Sequence, residues 1–331
     1  MLIATLQVVI LTASCDILEN TAKEINIFAM DTFMSIKAYG ADGETMNGIE
    51  NEIRKLESAF SVTKSDSDIS KLNADGVVEA CDDTVKLIEE SIEMCKLTNA
   101  ALDITTYPVT LLWGFTTGNY RVPDRKEIEE AMKFVDCAQI KIDNNLVQID
   151  EGVKIDLGAV AKGYTSEKIC EILREKGIKS AVINLGGNVQ TIGRRTDGKK
   201  WRVGVKNPFK TDENLLIVEV EDAAVVTSGN YERYFEVDGK RYCHIIDSST
   251  GYPVDNGVAS ITVIGQNGLK CDALSTALLV MGKEKAIEFW KKSADFDMII
   301  VTSDEKIFVT DGISSECTNE SSIEMEIINR E

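Results

Sequence analysis

The sequence predicts an α+β fold, with helices packed on mixed, largely antiparallel sheets. Three observations carry this. Apolar residues recur at three- and four-residue steps in several long segments, short β-rich runs are interleaved with them, and many of those runs neighbour each other across tight turns. A doubly wound parallel sheet would instead place a helical crossover between most strands. No long linker, repeat or low-complexity tract interrupts the chain from Thr21 to about Ile313. One domain is therefore expected over residues 21–313, preceded by residues 1–20 and followed by an acidic, polar and frayed tail over 314–331.

The elements follow in order. Residues 42–60 place Met46, Ile49, Ile53, Leu56 and Phe60 on one helical face, and residues 82–98 do the same with Val85, Ile88, Ile92 and Cys95. A third helix starts after Pro123, a favourable first-turn residue, with Ile128, Ala131, Met132 and Val135 inward. A fourth spans 159–176 and ends at Gly177. Short strands are expected at 181–185, 201–205, 215–220 and 223–227, and 232–237 and 240–246 flank the hairpin signal Asp238-Gly239. A strand at 259–264, helices at 267–281 and 283–292, and a hairpin over Ser303-Asp304-Glu305 close the domain.

Composition narrows the chemistry. The chain has 331 residues, 36 Lys and Arg against 55 Asp and Glu, a net charge of −19, and one histidine, His244. Imidazole-rich metal sites and two-histidine proton relays are excluded, so a metal would be held by oxygen or by cysteine. The acidic balance repels phosphate backbones and no basic patch relieves it, so no nucleic-acid partner is expected.

The eight cysteines form no CxxC pair, which argues against zinc-knuckle and thioredoxin-like sites and for free thiols over a disulfide framework. Residues 1–15 are apolar and end in Thr12-Ala13-Ser14-Cys15, which resembles the lipobox of a bacterial lipoprotein signal. That resemblance implies lipidation of Cys15 and a membrane-anchored protein facing outward from the cell. A buried N-terminal strand is the competing reading.

Four segments carry candidate chemistry. Residues 155–164 run from a strand end into a helix start, where free N–H groups and Lys162 favour an anion, although a tight turn with a surface lysine has the same pattern. The glycines of Asn184-Leu185-Gly186-Gly187-Asn188 permit close ligand approach or simply a turn. Asp272 and Thr276, one helical turn apart, offer two hard oxygens that suit magnesium or calcium, or else a helix cap with a filler. His244 stands near a strand end beside Asp247, in a reactive or a structural role.

In order along the chain, Ala29-Met30-Asp31-Thr32, residues 67–73, Leu102-Asp103-Ile104-Thr105, Leu112-Trp113-Gly114-Phe115, residues 156–164, 184–188, 228–233, 244–253 and 272–277 together resemble the ApbE family, the FAD:protein FMN transferases. The resemblance implies an α+β fold with an FAD cleft between lobes. It also implies a reaction in which FAD is cleaved at its pyrophosphate, AMP leaves, and FMN is joined to a Thr or Ser hydroxyl of a membrane-associated redox protein. By position, Met30, Phe60, Ala101, Leu102, Asp103, Asp156, Lys162 and Ile246 would contact the flavin nucleotide. Magnesium would be held by the carbonyl of Ala159 and the side chains of Asp272 and Thr276. His244 is the expected proton acceptor, with Asp247 available to orient it. Phe60 stands where tyrosine is usual, so stacking persists without the hydroxyl. The same groups could serve an FAD pyrophosphatase giving FMN and AMP, or a non-catalytic flavin-binding lipoprotein.

Overall fold

Alternation at period two sorts the central side chains onto two opposite cores. In the computed structural model, which describes residues 21–330, Ile261, Val263, Met298 and Ile300 enter one core, and Ile264, Ile299 and Val301 enter the other. They belong to a nine-stranded sheet whose strands lie in chain order: β1 (Ala22–Ala29), β2 (Thr32–Tyr39), β3 (Ala181–Leu185), β4 (Asn188–Ile192), β5 (Ala224–Gly229), β6 (Val258–Gly265), β7 (Phe296–Thr302), β8 (Ile307–Thr310) and β9 (Met325–Ile328). Neighbours are antiparallel except β8 and β9, which run parallel. The α+β expectation holds.

Five long helices cover the sheet: α1 (Gly43–Phe60), α2 (Asp82–Leu97), α3 (Ala161–Glu175), α4 (Gly268–Met281) and α5 (Lys283–Lys292). Leu87 and Ile88 of α2, Leu274 and Leu278 of α4 and Trp290 of α5 fill the first core. Near β1 to β3, Ile49 and Ile53 of α1 and Ile169 and Leu173 of α3 pack on Ile36 and Ile183. A three-stranded sheet of Trp201–Lys206, Asn214–Val220 and Cys317–Asn319 covers the opposite face through Val203, Val205, Leu216 and Val218. Each fully buried Val, Ile or Leu contributes about 1.5–3 kcal/mol, so these layers fix where the connecting loops emerge. Among the described residues no helix is long and apolar enough to cross a membrane.

Several expectations are corrected. The helix expected from residue 159 starts at Ala161, because Leu157 O first accepts the amides of Val160 and Ala161 in a tight turn. The strand expected over 240–246 ends at Cys243, and Ile246 pairs only with Pro253 in an isolated bridge. The tail expected to fray is paired instead: Cys317–Asn319 joins Asn214–Val220, and β9 joins β8. Ile323, Met325 and Ile328 give that acidic segment enough apolar surface to pack on the two cores. The thiols are not all free, since Cys95 and Cys137 form a disulfide between the end of α2 and the short turn Cys137–Gln139. Cys15 lies outside the described residues.

Candidate active site

The site is built around the start of α3. This helix has no side-chain cap of its own: Val160 occupies the cap position and offers no side-chain acceptor. The missing acceptor comes from α4, where Asp272 Oδ2 takes the Gly163 amide at 2.7 Å. In a regular helical turn Gly163 would donate to Ala159, and no described donor reaches the Ala159 carbonyl. Only glycine permits the contact, since a Cβ at 163 would lie 2.6 Å from both Asp272 Cβ and the Gly268 carbonyl oxygen.

Thus Asp272 caps a helix, as the simpler reading of its position allowed, but a helix distant in sequence. Burial pushes its carboxyl up from the ordinary range, while the charge of Lys162 and the Gly163 amide oppose the rise. Asn188, 1% exposed, lies beside Asp272 and helps to hold its carboxyl down, yet neither carboxamide atom makes a hydrogen bond of good geometry. Thr276 Oγ1 lies 3.2 Å from Ser228 Oγ, which also contacts Ser275 Oγ at 2.7 Å. A free carbonyl, a carboxylate with one oxygen uncommitted, a hydroxyl and an orphaned carboxamide make an oxygen-rich set that fits a hard divalent cation.

The residues matched to flavin contacts fall around the same helix start. Met30 occupies the left-handed turn between β1 and β2 (φ 49°), where its amide donates to Glu57 Oε1 at 2.8 Å and its sulfur receives Thr165 Oγ1 at 3.8 Å. Phe60, at the end of α1, stacks edge-to-face on Tyr164 with ring centroids 5.7 Å apart. Lys162, one turn into the same segment, makes no ion pair among the described residues, yet its charge acts on Asp156, Asp272 and His244.

Asp156 and the 101–103 segment form the adjoining wall. The Asp156 amide donates to Ile104 O at 2.9 Å, and Asp156 Oδ1 accepts from the Gly158 amide at 2.8 Å. Burial pushes the Asp156 carboxyl up, opposed by Gly158, Arg233 and Lys162. Asp103, expected to receive base or ribose donors, is already committed. Its Oδ1 accepts from the Thr105 amide and hydroxyl at 2.8 and 2.6 Å, and its Oδ2 from the Cys137 amide at 3.2 Å, beside the disulfide.

His244 follows the hairpin Tyr234–Val237 and Lys240–Cys243. Its amide donates to Arg233 O at 2.9 Å, and its Nδ1 lies 3.2 Å from the same oxygen. A carbonyl can only accept, so Nδ1 carries the proton and Nε2 is left with its lone pair. Asp247, offered by the sequence as the group to orient this ring, instead accepts from the Ser249 amide and hydroxyl to close its own turn. Burial, then the charges of Arg233 and Lys162, push the imidazole down to about 3, so it is neutral at pH 7. Beneath the hairpin, Phe235 packs on Trp113 and Phe115, and Trp113 Nε1 donates to Gly251 O at 2.9 Å. The cluster of Trp113 and Ile246 therefore braces the loop that carries His244.

Sequence reading overlooked the roles of Glu57, Gly163, Asn188 and Arg233. Asn188 and Arg233 stand inside segments already singled out, 184–188 and 228–233, and a polar residue in a cleft-forming motif was the available signal. Gly163 also stands inside a segment singled out, 156–164, but its tie to Asp272 is distant in sequence, and Glu57 gave no signal, because its partner Met30 is distant too.

A model of the ApbE family matches residues 30–300. An FAD:protein FMN transferase of Klebsiella pneumoniae is 30% identical over 299 residues, covering 88% of this chain and 93% of the relative. One from Haemophilus influenzae is 31% identical over 287 residues, covering 82% of each chain. Among solved structures, the ApbE protein of Thermotoga maritima superposes with a TM-score of 0.83 at 34% identity, covering 89% of this chain and 99% of that one. The flavin transferase ApbE of Vibrio cholerae gives 0.80 at 26% identity with the same coverage.

Proposed function

The chain belongs to the ApbE family, and from that premise we propose that it transfers FMN from FAD to a Thr or Ser hydroxyl of a target redox protein, with magnesium, releasing AMP. The observation that carries this reading is the tie between Gly163 and Asp272, which sets the Ala159 carbonyl, Lys162 and Asp272 around one helix start. Phosphoryl transfer requires charge neutralisation, positioning and a proton acceptor, and each has a candidate there.

Lys162 would meet the phosphates and the backbone of 101–103 the nucleotide, with Met30 and Phe60 at the flavin. A magnesium ion held by Ala159 O, Asp272 and Thr276 would supply charge neutralisation on the phosphate oxygens. The acceptor hydroxyl gives its proton to His244 Nε2 while its oxygen bonds to the FMN phosphorus. The bridging P–O bond breaks, and its electron pair leaves on the phosphate of AMP. His244 starts as a weak base because two cations and burial oppose its protonation. Arrival of an anionic pyrophosphate offsets those cations and raises its basicity when the proton must move.

Lipidation of Cys15, attachment to the outer face of the cell membrane and an acceptor within a membrane redox complex belong to the same proposal, supported by the lipobox-like Thr12-Ala13-Ser14-Cys15. The test is incubation with FAD, magnesium and an acceptor domain bearing the target threonine. Equal amounts of AMP and covalently bound flavin are expected. Free FMN with unlabelled acceptor would mean a pyrophosphatase, and bound FAD without AMP a carrier.

A further inference from the structure

Arg233 is the anomaly among the ten arginines of the chain. Eight of the others, Arg54, Arg121, Arg125, Arg174, Arg194, Arg195, Arg202 and Arg241, pair with carboxylates. Arg330 donates to Ser293 O and lies over the Trp290 ring. Among the described residues the Arg233 guanidinium has no ion pair, hydrogen bond or ring contact, in a chain with 55 carboxylic side chains to 36 basic ones. It is nonetheless no stray surface charge. Its own carbonyl anchors the His244 backbone and ring, and its charge acts on Asp156 and His244 together with that of Lys162.

Two cations with no ion pair among the described residues thus bear on the same two groups, Asp156 and His244, from different elements, Lys162 from α3 and Arg233 from the entry to the hairpin. A single carboxylate or phosphate needs only one. A pyrophosphate presents oxygens on two phosphorus atoms, and the guanidinium fork matches two oxygens of one phosphate while an ammonium acts as a point charge on the other. We propose that Arg233 is a substrate-binding residue that grips the pyrophosphate of the dinucleotide beside Lys162. This deepens the FMN-transfer reading and rests on it only in taking FAD as the ligand.

Every substitution at 233 keeps the backbone carbonyl that holds His244, and the side chain is exposed, so the fold is not at stake. The experiment compares FAD with riboflavin, which lacks the phosphates, by flavin fluorescence titration of wild type, Arg233→Gln and Arg233→Lys at fixed magnesium. Loss of a charge-assisted contact predicts FAD binding roughly 10- to 100-fold weaker in Arg233→Gln, riboflavin binding unchanged, and partial recovery in Arg233→Lys. Equal weakening of both ligands, or unchanged FAD binding, overturns the assignment. Wild type that binds FAD no better than riboflavin would defeat the dinucleotide site itself, an outcome distinct from an unaffected variant of an FAD-binding enzyme.

Discussion

The Gly163 amide donates to Asp272 Oδ2 at 2.7 Å, joining the start of α3 to α4 across 109 residues of chain. One bond thereby does two things: it caps a helix that lacks its own cap, and it diverts a donor from the Ala159 carbonyl. The carbonyl and the carboxylate are then both available to a cation.

Gly163→Ala should test that arrangement. The added methyl meets backbone at the Gly268 carbonyl (2.6 Å) and Leu269 Cα (2.7 Å), so α3 and α4 must part. Overpacking of this kind costs about 1–3 kcal/mol. The variant should melt at a lower temperature and need more magnesium for half-maximal AMP release. Unchanged melting and unchanged magnesium demand would show that the close approach does not position the site.

Asp272→Ala removes both the cap and the carboxylate. FAD turnover should be lost at any magnesium concentration, with Thr276→Ala a weaker version of the same defect. AMP release measured over a magnesium series decides this, and near-normal turnover in Asp272→Ala would contradict the proposed cation site.

His244→Ala should lower transfer by about 100- to 10,000-fold while changing FAD affinity far less. The pH dependence has a definite sign. Burial, Arg233 and Lys162 push the imidazole down to about 3, so in the free enzyme it stays neutral and able to accept a proton as pH falls through 6.5. The acid limb of kcat/KM should therefore lie well below that of an ordinary histidine, and Arg233→Gln should move it upward. The unfolded chain binds this proton near its ordinary pKa, so His244 withdraws stability as pH falls from about 6.5 toward 3. An acid limb at an unshifted position would show that His244 is not the proton acceptor.

Local elements were legible where one chain segment decided them. The apolar spacing of Met46, Ile49, Ile53, Leu56 and Phe60 predicted α1, and the helix begins where Asp42 accepts the Thr45 amide at 2.7 Å. The strand expected over 181–185 has the bounds observed for β3, and α5 likewise matches. The hairpin of β1 and β2 was missed, because its turn is made by Met30 and Asp31 in left-handed conformations that usually signal Gly or Asn. The site was legible as a set of segments, but not in its internal bonds. Asp247 is adjacent in sequence to the histidine's loop, yet Arg233, brought back by the hairpin, supplies the partner. Asp103 looked like a ligand acceptor and is held by Thr105 and Cys137, the second of which no spacing argument could place.

The Cys95–Cys137 disulfide closes a separation of 42 residues around the 101–103 segment. Cys137→Ser should lower stability by about 2–4 kcal/mol, read as a shift in denaturation midpoint. Because Asp103 accepts the Cys137 amide, FAD binding should weaken in the same variant. A variant with unchanged midpoint and unchanged FAD binding would show that the bridge does not support this wall.

The most direct test is intact-mass measurement of an acceptor domain co-expressed with this protein, followed by peptide mapping. Wild type should add one FMN to a single Thr or Ser, and His244→Ala or Asp272→Ala should leave the acceptor unmodified. An acceptor that remains unlabelled with the wild-type enzyme while FAD is consumed to free FMN and AMP would contradict flavin transfer.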